Sequence, residues 1–554
     1  MFKQVKFKVG YFILLYTLIN LIQAWFTELT SDEAYYWFCS LKLDWGYYDH
    51  PPFVGILTFI GRLFTESELG VRLFHVLAIS IGLVALFKLV PDREKVYAGI
   101  IILALPLFNY ISFIVFPDTL LVAVSAVILY KYRLFLVKND AKSSLLLGCL
   151  FALALYCKYH AILIIFFIVI SNLKLLKNKY FYLSLLIAFL LFLPHLYWQY
   201  IHDFATFRYH LVGRSSSFTT RYLFEYLTAQ SVIIGIGLIF IPFVFRPSNQ
   251  FEKTLKYISV GTLLFFALSS LRGFVHLHWT SISLVPIIIM GAKFYQSRKS
   301  DYMLNFLVTP FIVIIILARI YLMINIFGVN HLNADFYHDR PLWVEDISEI
   351  SGECPVVFNT GNSGLREAPM YAFYTEKFSL ALFPGEYKKS QYQILNYEDS
   401  VQFKSVVYVE SNSKNGCTLL KTRMGRSIYY KKIENFSSFN NIAVSCEYKK
   451  EIVEQDSINM SATIFNHRNF PLNFSDEHNL YIQFTNKEGV TKEQIVPLKN
   501  VQTIMPNSKK VVHFNLGQNF LSPAEYSFIV GFRGGIATPS VNSERKKLLI
   551  TIKQ

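Results

Sequence analysis

Two adjacent carboxylates follow the first long apolar run of the chain. The segment reads Thr30-Ser31-Asp32-Glu33, and aromatic residues come shortly after it. One interpretation is helix capping, since Thr30 or Ser31 can begin a helix and acidic residues suit its first turn. The other is chemical, because a carboxylate at a water–lipid boundary can act as a general base for a hydroxyl group. The local sequence favours capping and leaves both interpretations open.

A second acidic motif lies further along the same loop, at Asp49-His50-Pro51-Pro52. Consecutive prolines restrict the backbone after a carboxylate and an imidazole, which suits a preorganised site or a pair of metal ligands. The alternative is a rigid turn without chemistry.

Further ionisable side chains stand next to apolar runs, where burial is costly, and this makes them candidates for function. Any one of them could simply extend its charged end to the membrane surface. Together they predict a site for an anionic, lipid-linked substrate, because cations stabilise a phosphate leaving group and a carboxylate activates the nucleophile. They are Asp118, Lys158, His160, His210, Arg214, Arg272, His276 and His278.

The elements that must position these side chains are membrane-spanning helices. The 554 residues are 53% hydrophobic and the mean hydropathy is positive, beyond what an ordinary soluble domain shows. Apolar runs of the length that crosses roughly 30 Å of hydrocarbon recur through the first three fifths of the chain and predict about eleven spans. The runs are 9–27, 69–90, 96–114, 119–137, 144–157, 160–173, 180–198, 222–245, 256–271, 279–296 and 303–326.

The basic residues predict the orientation of these spans. The net charge is +15, but the lysines and arginines concentrate in alternate loops, which is typical of cytoplasmic loops rather than of a nucleic-acid surface. Two basic loops, 138–142 and 174–179, flank the stretch 144–173. Two short helices that meet outside at Lys158 keep both loops inside. The lysines before the first run, without a small-residue cleavage site after it, predict a retained helix rather than a removed signal peptide.

The composition changes after about residue 330, where charged residues return. Residues 1–330 are predicted to form the transmembrane domain, 331–433 a mixed α/β region, and 434–554 a β-sandwich of immunoglobulin type, because apolar and polar residues alternate between turn signals. An odd number of spans from an inside start places both later regions outside the membrane. Cys354 and Cys417 could pair there or remain free thiols.

Several motifs, in this order, make residues 10–330 similar to the GT-C glycosyltransferases of the protein O-mannosyltransferase-like family 39. The same group includes bacterial lipid A aminoarabinose transferases and lipopolysaccharide galacturonosyltransferases. The motifs are Asp32-Glu33, Tyr48-Asp49-His50-Pro51-Pro52, Phe116-Pro117-Asp118-Thr119-Leu120, Cys157-Lys158-Tyr159, Leu193-Pro194-His195-Leu196-Tyr197-Trp198, His202-Asp203-Phe204 and His278-Trp279.

This resemblance implies a polyprenyl-phosphate sugar donor, an inverting transfer, and an amphipathic helix in the first external loop. It implies that Asp32 is the catalytic base, with Glu33 beside it. Asp49 matches an acidic position that can bind a divalent metal ion in the aminoarabinose transferase, with His210 as its possible partner.

The residue before the prolines is a lysine that contacts phosphate in the aminoarabinose transferase, whereas here it is His50. Phosphate binding is therefore expected at His50, Lys158 and Arg214. Further site residues are expected at Asp118, Arg272 and His278. No segment resembles the β-trefoil of the eukaryotic protein mannosyltransferases, which favours a bacterial enzyme that acts on envelope glycans.

The sequence therefore predicts a multi-pass protein of the plasma membrane that moves a sugar from a polyprenyl phosphate to an envelope glycolipid, lipopolysaccharide or protein. The alternative in another class is a transporter or flippase of lipid-linked sugars. Transporters usually carry internal repeats and polar, broken helices near the midplane, whereas here the ionisable residues cluster at outer helix ends. A scaffold or sensor built on the external β-region would leave the motif at Asp49 unexplained.

Overall fold

The computed structural model describes residues 7–211, 218–298, 301–325, 331–333, 336–383, 390–413, 416–453, 456–498, 501, 503–518, 520–536 and 538–551. The chain divides into two compact units, Met1–Asp339 and Arg340–Gln554. The predicted domain limits at residues 330 and 433 remain predictions.

The first unit is helical. Short 3-10 segments lie at Asp92–Glu94, Leu173–Lys177 and Leu277–Ser283, and a strand pair, β1 (His331–Asn333) and β2 (Phe336–Tyr337), follows the last helix. The helices are α1 (Val9–Phe26), α2 (Ser31–Leu41), α3 (Phe53–Arg62), α4 (Glu68–Leu89), α5 (Lys95–Ala104), α6 (Pro106–Ile111), α7 (Pro117–Lys138), α8 (Ala141–Cys157), α9 (Ala161–Ser171), α10 (Lys179–Ile201), α11 (Ala205–Leu211), α12 (Arg221–Ile233), α13 (Ile236–Ile239), α14 (Ile241–Val244), α15 (Gln250–Ser269), α16 (Leu284–Arg298) and α17 (Asp301–Met323).

Within the described residues, five helical stretches are long and apolar enough to cross a membrane, and a bent pair makes a sixth. Shorter apolar helices add to them, so the first unit is that of a helical membrane protein. The count of about eleven spans remains a prediction. The five stretches are Val9–Phe26, Glu68–Leu89, Pro117–Lys138, Lys179–Ile201 and Leu277–Arg298, and the shorter helices are Phe53–Arg62, Ala141–Cys157, Ala161–Ser171 and Val308–Met323.

The predicted run 96–114 is broken at Pro106 into α5 and α6. Proline has no N–H to donate and its ring crowds the carbonyl four residues earlier, so the helix cannot continue through it. The Asn109 side-chain amide donates to the carbonyl oxygens that the break releases, those of Ile102, Leu103 and Leu105, at 2.8, 3.2 and 3.0 Å. Such compensation is needed because lipid offers the backbone no other partner.

The predicted run 222–245 is also divided. Helix α12 and the stretch formed by α13 and α14 meet at an angle of 100°. Gly235 lies at the bend with φ +86°, a conformation that costs glycine little because it has no Cβ. This segment is therefore a broken span or a re-entrant loop rather than one straight helix.

The second unit begins with a five-stranded sheet. This part of the unit also contains helices and short 3-10 segments, namely α18 (Arg340–Ser351), α19 (Gly364–Thr375), α20 (Gln391–Ile394), Gly361–Ser363 and Tyr397–Val401. The strands are β3 (Val356–Asn359), β4 (Ser379–Ala381), β5 (Val406–Glu410), β6 (Thr418–Lys421) and β7 (Ser427–Ile433), in the order β4-β3-β5-β7-β6. Strand β3 pairs in parallel with β4 and β5, and the other pairings are antiparallel. Cys354 and Cys417 are free thiols.

The rest of this unit is β-structure around one apolar core. A five-stranded sheet has the order β13-β12-β16-β17-β9, a three-stranded sheet has the order β15-β10-β8, and β11 pairs with β14. Alternate residues of both larger sheets, such as Ile464 and Phe484, join the same buried cluster, as the period of two requires. An immunoglobulin-type sandwich remains a prediction. The strands are β8 (Ala443–Tyr448), β9 (Glu451–Val453), β10 (Asn459–Asn466), β11 (Leu472–Asn473), β12 (Asn479–Asn486), β13 (Thr491–Pro497), β14 (Thr503–Ile504), β15 (Ser508–Asn515), β16 (Ala524–Arg533) and β17 (Lys546–Thr551).

A buried ionic network connects the α/β sheet region to the β-region that follows it. Arg468 contacts Glu398 Oε1 at 3.1 Å and Asp399 Oδ1 at 2.6 Å. It also donates to the Ser438 carbonyl at 2.9 Å. The Ser438 hydroxyl and the Asn440 N–H both donate to Glu398 Oε1, at 2.6 and 3.0 Å. Burial raises the pKa of Glu398, although Arg468 opposes the shift.

We expect Arg468→Gln to destabilise the protein by about 3 kcal/mol near neutral pH, because the Glu398 carboxylate then stays buried without its cation. A group whose pKa is raised in the folded state favours folding in its protonated form, so the loss should shrink as the pH falls towards about 5. Thermal unfolding of the purified protein in detergent at both pH values measures this.

The matched control is Arg533→Gln, which removes an exposed ion pair of 3.5 Å with Glu493. Exposed pairs contribute little, so this variant should unfold like the unmodified protein at both pH values. An equal loss for Arg468→Gln at both pH values would contradict the role given to Glu398.

Candidate functional site

The first site motif is anchored by a capping box. The Glu33 N–H donates to the Thr30 hydroxyl at 3.3 Å, and the Thr30 N–H donates to Glu33 Oε2 at 2.9 Å. The same carboxylate receives two N–H groups of Arg72, both at 2.6 Å. Both side chains are completely buried. This is a bidentate ion pair, the strongest geometry available to arginine and a carboxylate.

The ion pair joins three separate parts of the first unit. Arg72 also donates to the carbonyl oxygens of Ala24 and Thr27, at the end of α1. The N–H of Val115, just before α7, donates to Glu33 Oε1 at 2.9 Å. The Glu33 carboxylate is thus fully occupied by structural bonds. These bonds give Glu33 a capping and anchoring role, and its catalytic role remains a prediction.

Asp32 occupies the adjacent position of α2 and is half-buried. Burial raises the pKa of the nearby Tyr36 hydroxyl well above its usual value, and surrounding carboxylates raise it further. Those carboxylates belong to Asp32, Asp49 and Asp118. The Asp32 carboxylate, which is the candidate base, is therefore close enough to affect the Tyr36 hydroxyl electrostatically. The carboxylates of Asp49 and Asp118 affect the same hydroxyl.

The Asp49 carboxylate is the centre of a cluster of aromatic and imidazole groups. The Tyr35 hydroxyl donates to Asp49 Oδ1 at 2.7 Å, and His50 Nε2 lies 3.5 Å from Oδ2. His50 Nε2 is also hydrogen-bonded to the Tyr36 hydroxyl at 3.2 Å. His210 donates from Nε2 to the Asp49 backbone carbonyl at 3.0 Å. Helix α2, the loop after it and α11 all contribute to this cluster.

Of the two predicted metal ligands, His210 is bonded through Nε2 to the backbone carbonyl of Asp49 rather than to its carboxylate. A nitrogen that donates to a carbonyl carries a hydrogen and cannot bind a metal, so in this arrangement only Nδ1 of His210 could present a lone pair. Over the described stretches of the chain, no group of three or more His, Cys, Asp or Glu side chains could hold a metal ion. A metal ion at Asp49 and His210 therefore remains a prediction of the sequence.

Asp118 is the centre of a second cluster. It lies in the first turn of α7, and Lys158, the residue that ends α8, donates to its Oδ2 at 2.6 Å. The Ser281 hydroxyl donates to Oδ1 at 3.0 Å, and His278 Nε2 lies 3.7 Å from Oδ2. The Lys158 ammonium also lies over the Trp279 ring, 5.7 Å from its centroid.

The two clusters are neighbours. The His50 and His210 rings are 6.5 Å apart between centroids, and the His210 and Tyr159 rings are 6.2 Å apart. Tyr159 directly follows Lys158 in the chain. Carboxylates, imidazoles and an ammonium thus form one continuous polar patch at the ends of apolar helices.

The remaining predicted residues lie as follows. Arg214 lies outside the residues that the structure describes. Arg272 is exposed in the turn after α15. His276 stacks on His278 with 5.5 Å between ring centroids, and the His160 ring packs against the Phe266 and Trp279 rings.

Three contributors were not singled out from the sequence. Arg72 had a signal, because a charge near the start of an apolar run requires a partner when it is buried. Tyr35 had only its aromatic character, and Ser281 had no signal at all. Along the chain, the bonded partners of Arg72 and Ser281 lie 39 residues or more away, and the partner of Tyr35 lies 14 residues away.

Residues 49–198 match the protein family described as dolichyl-phosphate-mannose-protein mannosyltransferase. The chain is 24% identical over 288 residues to lipid A galacturonosyltransferase RgtD of Rhizobium johnstonii, a match that covers 48% of this chain and 60% of that protein.

Among solved structures, the chain is similar to ArnT from Cupriavidus metallidurans in the apo state, with a TM-score of 0.55, 13% identity, and coverage of 76% of this chain and 97% of ArnT. The same enzyme bound to undecaprenyl phosphate matches with a TM-score of 0.53, 14% identity and the same coverage. At these identities the likeness shows the fold.

The membrane unit with its polar patch at the helix ends has the GT-C fold that these matches share. These matches confirm the resemblance to GT-C glycosyltransferases of family 39 that the motifs predicted.

We expect Arg72→Met and Glu33→Gln each to destabilise the membrane unit by about 3–5 kcal/mol, because each removes one partner of a fully buried ion pair. The double variant should lose less than the sum, because it leaves no unpaired charge. Thermal unfolding in detergent and the recovery of monodisperse protein measure both effects.

Arg221→Met is the control, since it removes an exposed ion pair of 2.8 Å with Glu225. We expect it to unfold like the unmodified protein. Stable single variants of Glu33 and Arg72 would contradict the anchoring role.

Proposed function

We propose that this chain is a membrane glycosyltransferase that moves a sugar from a polyprenyl-phosphate donor to an envelope glycan, with inversion at the anomeric carbon. The observation that carries the proposal is the continuous polar patch of Asp49, Asp118 and Lys158 at the ends of apolar helices, with the Asp32 carboxylate near the Tyr36 hydroxyl beside it. A lipid-linked donor needs this arrangement, because its tail requires an apolar surface and its phosphate a polar one.

The relatives support the choice of donor and acceptor. ArnT is described in complex with undecaprenyl phosphate, and RgtD is described as a lipid A galacturonosyltransferase. The chain spans about 60% of the length of RgtD, so a shared activity with RgtD is a proposal. We propose a polyprenyl-phosphate sugar as donor and a glycolipid, lipopolysaccharide or protein of the cell envelope as acceptor.

In the proposed reaction, Asp32 accepts the proton of an acceptor hydroxyl. The hydroxyl oxygen forms a bond to the anomeric carbon, and the bond from that carbon to the phosphate oxygen breaks with its electron pair leaving on the phosphate. Lys158 and His50 are proposed to contact that phosphate, and Arg214 to assist. The charge of the leaving group is then neutralised by preorganised donors.

The neighbours of Asp32 suit this role. The first turn of a helix stabilises a carboxylate in its ionised form, which is the form that can accept a proton. Glu33 is held inward by Arg72 and cannot compete for the acceptor. Asp118 holds the Lys158 ammonium in place, and an ammonium has three N–H donors, so one bond to Asp118 is compatible with phosphate binding.

The proposed topology has about eleven spans in the plasma membrane, with the site and the second unit on the outer face. Basic loops on the opposite side support this orientation. The second unit is proposed to be an external α/β region followed by an immunoglobulin-type sandwich.

We expect Asp32→Asn to abolish sugar transfer while the protein keeps its thermal stability and its affinity for polyprenyl phosphate. The substitution removes the proton acceptor and preserves the size of the side chain. Purified protein with a radiolabelled polyprenyl-phosphate sugar and an envelope lipid extract measures transfer.

The matched control is Asp92→Asn, which changes an exposed carboxylate in the short segment before α5, and it should transfer sugar normally. Full activity of Asp32→Asn would remove Asp32 as the base. If the unmodified protein transfers no sugar but moves the lipid-linked sugar across reconstituted vesicles, the chain is a flippase instead.

A separate experiment tests the divalent metal ion that the resemblance to the aminoarabinose transferase implies. We expect transfer to be unchanged by prior dialysis against a chelator, because His210 Nε2 is bonded to the Asp49 backbone carbonyl and is not free to bind a metal. A metal that acts at Asp49 would give a different result. Chelation would then abolish transfer, and Mg²⁺ or Mn²⁺ would restore it in the unmodified protein but not in an Asp49→Asn variant.

A further inference from the structure

A chain of buried polar side chains runs beneath the loop that carries Asp49. Its members are His195 and Gln199 on α10 and Thr206 on α11, all completely buried. Buried polar groups at membrane depth are costly unless fully bonded, so the bonds they make indicate what they are for.

The direction of each hydrogen bond can be assigned from the acceptors. His195 Nδ1 lies 2.6 Å from the Trp45 carbonyl oxygen, which can only accept, so Nδ1 carries the hydrogen. The Tyr159 hydroxyl lies 2.6 Å from His195 Nε2 and accepts from the Gln199 amide at 3.0 Å. Since Nδ1 carries its hydrogen, a neutral His195 presents the Nε2 lone pair to the hydrogen of the Tyr159 hydroxyl.

The chain continues to the other side of the same loop. The Gln199 amide also donates to the Thr206 hydroxyl at 2.6 Å, and that hydroxyl donates to the Tyr47 carbonyl at 3.0 Å. The carbonyl groups of Trp45 and Tyr47, one on each side of Gly46, are thus both held.

Gly46 itself closes on Trp198, where a Cβ would lie 2.5 Å from the indole ring. No side chain fits between the loop and α10 at this point. The Tyr47 N–H donates to the His50 carbonyl at 2.9 Å, which closes a turn around Asp49. A shift of the Tyr47 backbone would therefore also move the turn that carries Asp49 and His50.

The same network holds the other half of the polar patch. Tyr159, the shared partner of His195 and Gln199, directly follows Lys158, whose ammonium pairs with Asp118. One set of hydrogen bonds therefore ties the loop with Asp49 and the turn with Lys158 to the same helix.

We propose that His195, with Gln199 and Thr206, is a positioning residue that sets the separation between the Asp49–His50 loop and the Lys158 turn. The inference rests on the proposed glycosyl transfer, in which both halves act on one donor. His195 does not touch the donor in this scheme. It acts through Trp45 and Tyr159, and a displacement of about 1 Å at such a site can cost about a hundredfold in rate.

A matched pair of substitutions separates positioning from general stability. Thr206→Val removes the hydroxyl that holds Tyr47. Thr254→Val removes an equally buried hydroxyl on α15, which is bonded to Ser171 on α9 at 2.7 Å. Both variants lose a buried hydroxyl and should lose similar thermal stability. We expect kcat to fall about 10- to 100-fold in Thr206→Val alone, with KM for the lipid donor changing less.

His195 is tested by a graded series. The side-chain amide of His195→Asn can replace Nδ1–H and keep the bond to Trp45, whereas His195→Phe cannot. We expect His195→Asn to retain more activity than His195→Phe, and Tyr159→Phe to resemble His195→Asn, because both keep the bond to Trp45 and lose the bond between His195 and Tyr159.

Hydrogen–deuterium exchange of the peptide 41–50 gives a readout that needs no activity. We expect faster exchange there in Thr206→Val and His195→Phe, and unchanged exchange in Thr254→Val. Normal kcat in Thr206→Val, or equal losses in Thr206→Val and Thr254→Val, would overturn the proposal. If the unmodified protein transfers no sugar, the proposed function fails, and unchanged exchange in His195→Phe would overturn the positioning role independently.

Discussion

The structure of the membrane unit depends on the buried ion pair between Glu33 and Arg72. A charge in apolar surroundings costs several kcal/mol when it loses its partner, so the segments that share this pair cannot separate. The pair fixes the end of α1, the beginning of α2 and the backbone just before α7. Adjacent side chains on a helix point about 100° apart. Because Glu33 points inward to Arg72, Asp32 must point elsewhere.

The same rule governs the rest of the unit. Where Pro106 leaves carbonyl groups without helical partners, the side-chain amide of Asn109 donates hydrogen bonds to them. Where the loop before Asp49 exposes the carbonyls of Trp45 and Tyr47, His195 and Thr206 bond them. In water such groups could be left to solvent, but at membrane depth each requires a partner in the protein. The irregular backbone around the site is therefore as closely determined as the helices.

The sequence predicted the elements well and their connections poorly. The helical runs, the acidic motifs and the strands at β10 and β12 follow from periodicity and composition, which are local properties. Glu33 shows the limit. Its capping role is local, and the sequence favoured it, but its bonds to Arg72 and Val115 join positions 39 and 82 residues away. The break at Pro106 could have been predicted from the proline alone, whereas the partners of Asp118 could not.

The charges of the polar patch explain why it contains so many imidazoles. The Lys158 ammonium pairs with the Asp118 carboxylate, and the Asp49 carboxylate accepts from Tyr35 and lies beside His50. A phosphate would add negative charge next to these carboxylates and would be repelled unless further positive charge were supplied. Histidines can supply it, because an incoming anion stabilises the imidazolium form near neutral pH. His50 lies 3.5 Å from the Asp49 carboxylate and His278 lies 3.7 Å from that of Asp118, where an added proton would compensate both the carboxylate and a phosphate.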